Sequence, residues 1–132
     1  MAELIVWSPV EGVVHLTDAD FRAAAERKWT GAVTFRTSED PQMPPVTADV
    51  EVPGQRSFQV FLLRGGDAVV TDGSEEQMAE VAAWVRSLLP EEPGGRIWFT
   101  DPGCTGHYDL PHGVTPQDVI GSWVEHGGEA PT

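Results

Sequence analysis

Val46-Thr47-Ala48-Asp49-Val50-Glu51-Val52 alternates small or branched apolar residues with polar ones. Successive side chains of a strand point to opposite faces, so this stretch predicts a strand with its valines on a core and Thr47, Asp49 and Glu51 in water. Phe58-Gln59-Val60-Phe61-Leu62-Leu63 follows, apolar at nearly every position, and reads as a more central strand. Arg64-Gly65-Gly66-Asp67 has the glycine content of a hairpin turn into another strand at 68–71. Leu4–Trp7, 31–36 and 96–100 are shorter candidates.

The helices announce themselves by their caps. Thr17 with Asp20 has capping-box spacing, and Phe21, Ala24, Ala25 and Trp29 recur on one helical face, predicting a helix over about 18–29. Ser74 with Gln77 repeats the device ahead of the cleanest apolar stripe in the chain, Met78, Val81, Ala82, Val85, Leu88 and Leu89, which Pro90 ends. Thr115-Pro116 with Asp118 starts a third helix; Val119, Ile120, Trp123 and Val124 form its apolar face, and Gly127-Gly128 stops it. The loops at 37–45 and 90–95 are rich in proline, which cannot join a ladder.

The expectation is a single α+β domain over residues 1–132, a mostly antiparallel sheet of about five to six strands with three helices on one face, in the order β-α-β-β-β-β-α-β-β-α. Five Trp and five Phe supply core mass that disordered chains lack. No apolar run is long enough to span a bilayer, Met1-Ala2-Glu3 opens with an acid where a secretory signal carries bases, and Cys104 is the sole cysteine. These features predict a cytoplasmic protein.

Twenty-one acidic residues against eight basic ones give a formal charge of −13. A field of that sign repels phosphate backbones and anionic lipids, which argues against nucleic-acid and membrane partners, and it speeds encounter with cationic surfaces. Glu39, Asp40, Asp49 and Glu51 gather around the Val46–Val52 strand and the loop before it. Asp101, Asp109, Asp118, Glu125 and Glu129 lie in a final stretch without Lys or Arg after Arg96. Both regions are expected to face a basic protein, with Asp101, Asp109 and exposed aromatics such as Trp98 or Tyr108 as contact points. Solubility alone explains the same charge equally well.

Only one segment is chemically dense. Cys104, His107, Asp109 and His112 are all of metal-ligand type, yet Pro102 and Pro111 describe a loop, and the spacing matches no standard zinc pattern. A surface turn with solvated histidines is the stronger reading. A nucleophilic Cys104 with His107 as base lacks the positive surroundings that lower a thiol pKa, since Asp101 and Asp109 are the neighbouring charges. No serine sits in a nucleophile elbow and no glycine run precedes a phosphate-binding base. No catalytic residues and no cofactor are assigned, and the balance is against an enzyme. The alternative is a small enzyme or metal- or ligand-binding domain using the Cys104–His112 loop.

The tail from Leu110-Pro111-His112-Gly113 through Thr115-Pro116-Gln117-Asp118-Val119-Ile120 to Gly127-Gly128-Glu129-Ala130-Pro131, a short strand, a capped helix and a Gly/Pro exit, resembles the end of small immunity proteins of bacterial polymorphic-toxin systems. The similarity covers the final quarter and the general layout. It implies a non-enzymatic inhibitor that covers the basic cleft of a toxin domain with acids, and it carries over no fixed catalytic residue.

Overall fold

The computed structural model describes residues 3–63, 65–101, 106–121 and 123–125. Strands β1 (Leu4–Trp7), β2 (Val33–Thr37), β3 (Val46–Val50), β4 (Phe58–Leu62), β5 (Val69–Thr71), β6 (Trp98–Thr100), β7 (Gly106–Asp109) and β8 (Trp123–Glu125) form one sheet in the order β2-β3-β4-β5-β1-β6-β7-β8. Every pairing is antiparallel. Helices α1 (Asp18–Lys28), α2 (Glu75–Ser87) and α3 (Pro116–Gly121) interrupt the strands at the expected places. The fold class is thus α+β with an antiparallel sheet, and the sheet is wider than the five to six strands read from the sequence.

Strand parity divides the sheet into two unlike faces. Register places Leu4, Val6, Val46, Ala48, Val50, Phe58, Val60, Leu62, Val69 and Phe99 on one side. All are buried there in one cluster with Phe21 and Ala25 of α1, Met78, Val81, Ala82 and Val85 of α2, and Val119 of α3. The three helices therefore cover this face, as the amphipathic stripes require. Phe21 and Phe99 are fully enclosed, and burying a side chain of that size contributes roughly 1.5–3 kcal/mol. Trp29 packs against Phe58 and Trp84 with ring centroids 5.9 and 4.8 Å away, and Lys28 meets Glu80 at 3.0 Å, so α1 is bound to α2 by an aromatic cluster and an ion pair.

The caps behave as their spacing dictates. Thr17 Oγ1 accepts the Asp20 amide at 3.1 Å. Ser74 Oγ accepts the Gln77 amide at 3.1 Å while Gln77 Oε1 accepts the Ser74 amide at 2.9 Å, a complete capping box. Thr115 and Asp118 make the same reciprocal pair at 3.1 and 3.2 Å. At the β4–β5 turn the Leu63 amide donates to Ala68 at 2.9 Å, and Gly66 adopts φ +72°. Gly66 also receives the Leu16 amide at 2.9 Å, and a Cβ there would lie 2.1 Å from the Leu16 carbonyl oxygen, so only glycine fits.

The third helix departs from expectation. It ends at Gly121, and Trp123 and Val124 belong to β8, with Tyr108 opposite Trp123 and His107 opposite Val124. Glycine weakens the helix at that point, and the open edge of β7 offers backbone partners to residues of high strand propensity. Gly127-Gly128, the expected stop, lies outside the described residues. No described helix is long and apolar enough to cross a membrane.

Candidate functional site: the face of the sheet opposite the described helices

No described helix packs on the other face of the sheet, and its character changes from edge to centre. On β2 to β4 it is polar. Arg36 donates from Nε and Nη2 to the two Asp49 carboxylate oxygens at 2.7 and 3.2 Å, and Gln59 Nε2 donates to Asp49 Oδ1 at 3.0 Å. The Arg36 hydrogen bond, with a smaller contribution from Gln59, holds the Asp49 carboxyl below the ordinary aspartate range against the opposing effect of burial.

From β4 to β7 the same face turns apolar and aromatic. Phe61, Val70, Ile5, Trp7, Trp98, Thr100 and His107 follow one another across neighbouring strands by register. Trp7 meets Trp98 edge-on at 6.1 Å, and Trp98 lies 4.9 Å from the His107 ring. Trp7 Nε1 donates to Thr100 Oγ1 at 2.7 Å, which fixes the indole across the β1–β6 boundary. His107 Nε2 comes within 3.3 Å of Asp109 Oδ1, two residues on along the same face.

A cavity of about 320 Å³ opens on this face. Ile5, Trp7 and Thr100 line it from the strands, Leu63 and Ala68 from the β4–β5 connection, and Ser8, Val10, Glu11, Gly12 and Val14 from the segment after β1. Asp67 and Asp101 complete its border. A wider cleft of about 480 Å³ lies near the start of β6 and the end of β7, where Arg86, Glu91, Arg96, Asp109 and His112 meet.

The residues singled out by sequence reach different ends. Glu39 and Glu51 are exposed, Glu39 in the loop before β3 and Glu51 directly after it, so the length of the strand, roughly 17 Å at about 3.4 Å per residue, lies between them. Asp40 is exposed in the β2–β3 loop and accepts the Gln42 amide at 2.9 Å. Asp49 is half-buried in its ion pair and is not available as a bare carboxylate. Asp101, half-buried, borders the cavity, and Asp109 is exposed beside His107.

The aromatic contact points need correction. Trp98 and Tyr108 are 2% and 9% exposed, so neither is a surface anchor. Tyr108 sits on the helix-covered face opposite Phe99, ring centroids 5.8 Å apart, because β6–β7 register puts it there. Burial, then the charge of Glu75, raises its phenol pKa. Cys104 lies outside the described residues; His107 is buried on the face opposite the described helices, and His112 is exposed at the second cleft. Among the described residues no three of His, Cys, Asp and Glu come close enough to hold a metal ion.

The cavity itself went unseen in the sequence. Its parts come from β1, β6, the β4–β5 connection and the segment after β1, which only sheet order brings together. Set against protein-family models, curated proteins and solved structures, the chain matches none of them.

Proposed function

We propose that this chain is a cytoplasmic interaction protein, immunity- or antitoxin-like, that binds and blocks a basic partner such as a toxin domain. What carries the reading is how the few cations are used. Arg86 is buried and spends its donors on the carbonyls of Leu110, Leu89, Pro90 and Glu91. Lys28 and Arg36 are held in ion pairs with Glu80 and Asp49. Three of the eight basic side chains are thereby withdrawn or neutralised, while Glu11, Glu39, Asp40, Glu51, Asp67 and Asp109 stand exposed. A surface of this sign attracts a cationic protein over distances comparable to the Debye length and accelerates docking.

The test is genetic and direct. The chain is co-expressed with a candidate basic toxin domain from an adjacent reading frame, and growth is followed. Restored growth, with a complex recovered from the cells, supports the proposal; continued toxicity at full expression of the soluble chain refutes it.

One observation favours a second reading. The His107–Asp109 contact at 3.3 Å holds an imidazole against a carboxylate, as the outer partner of a metal- or ligand-binding histidine would be held. Near-stoichiometric zinc in protein purified without an affinity tag supports that reading, and metal-free protein of full stability removes it.

A further inference from the structure

From the cavity on the face opposite the described helices we infer that it is an anchor pocket for one long basic side chain, an arginine or a lysine, of the cationic partner. The inference rests on the proposal of a basic partner and adds where that partner is gripped. Ile5 and Trp7 are half-buried in the cavity and Ala68 is buried beside them, which makes an apolar lining. Glu11 and Asp67, both exposed, stand at its border.

Every charged residue among the described lining is an acid. The wider cleft differs, since Arg86 and Arg96 there oppose Glu91 and Asp109. Arginine and lysine match an apolar pocket with an acidic mouth: the methylene stem packs on hydrocarbon while the charged head stays among polar groups. Low-dielectric walls also focus the field of the carboxylates onto whatever enters. Trp7 adds an aromatic surface to which a guanidinium or ammonium group is attracted. An acidic side chain is repelled at the same mouth, and a purely aliphatic one leaves the carboxylates without a counter-charge. The cavity of about 320 Å³ falls at the lower end of ligand-site volumes, the size for one side chain and not for a folded segment.

The probe is n-butylguanidinium chloride titrated into the intact chain, with the Trp7 indole N–H resonance, assigned from the spectrum of Trp7→Phe, as the readout. Butyrate and n-butanol at equal concentration are the controls. A saturable shift with butylguanidinium, at least about fivefold weaker binding of butanol and no shift with butyrate support the pocket. Glu11→Gln with Asp67→Asn is expected to weaken butylguanidinium about fivefold or more at an unchanged unfolding midpoint. An unmoved indole resonance, an equal response to butanol, or undiminished binding by the double variant overturns the inference. Equal binding of the basic partner by the native chain and the double variant removes the pocket and leaves the proposed function standing. Seating of butylguanidinium without any complex with the partner removes the proposed function and leaves a cation pocket.

Discussion

Arg86 donates from Nε to the Leu110 carbonyl at 2.8 Å, tying the last turn of α2 to the residue that follows β7. The same guanidinium reaches the Pro90 carbonyl at 2.9 Å and that of Glu91 at 3.2 Å, so one side chain collects the acceptors of the loop that leaves the helix. Burial lowers its pKa, with the nearby charge of Glu91 acting in the opposite sense. The planar fork satisfies several carbonyls at once, a geometry that an ammonium group does not reproduce.

Arg86→Met is accordingly expected to destabilise the fold by about 2–4 kcal/mol, because buried carbonyls lose their donors. Arg86→Lys should recover only part of that. Urea unfolding of the variants measures both, and a midpoint unchanged in Arg86→Met contradicts the assignment.

Acid should weaken the sheet through Asp49. Its carboxyl titrates below the ordinary aspartate value in the folded chain, chiefly because Arg36 donates to it. A depressed native pKa contributes stability that is complete above the unfolded value of about 3.9 and disappears as pH falls through the native value. Asp49→Asn should therefore show a smaller loss of stability between about pH 5 and pH 2 than the native chain. Unfolding midpoints across that range check it, and parallel curves for the two proteins contradict it.

Gly66 and Gly65 make a matched pair. Both have positive φ, +72° and +94°, yet a Cβ at Gly66 collides with the Leu16 carbonyl, whereas one at Gly65 meets nothing within 4 Å. Gly65→Ala should cost roughly 1–2 kcal/mol for the left-handed backbone alone. Gly66→Ala should cost clearly more, since either the turn or the Leu16 segment must move. Thermal unfolding of the two variants ranks them, and equal midpoints contradict the close approach.

Thr100→Val removes the acceptor of the Trp7 indole while keeping the side-chain shape. A loss of about 1 kcal/mol is expected, with faster solvent exchange of the Trp7 indole proton. Exchange that is no faster in the variant shows that the bond does not hold the ring.

Local rules made most of this fold legible. The Ser74–Gln77 spacing and the stripe from Met78 to Val85 define α2 without help from the rest of the chain, and the alternation from Val46 to Val50 assigns the inner face of β3. Where a distant partner decides, the sequence is silent. Val119, Ile120, Trp123 and Val124 have helical spacing, but the vacant edge of β7 takes Trp123 and Val124 as a strand. Trp98 and Tyr108 sit on opposite faces because of β6–β7 register, and neither burial follows from residue type. Asp49 looked like a solvated acid for the same reason: Arg36, its partner, belongs to the neighbouring strand of a hairpin whose register no local motif announces.

Salt dependence of binding tests the proposal most directly: the dissociation constant of the chain with a candidate basic toxin domain, taken by calorimetry at 50 and 500 mM NaCl. Recognition by exposed carboxylates demands a complex at low salt that weakens by at least about tenfold at high salt, with most of the change in the association rate. No complex at either salt, or an affinity indifferent to ionic strength, contradicts it.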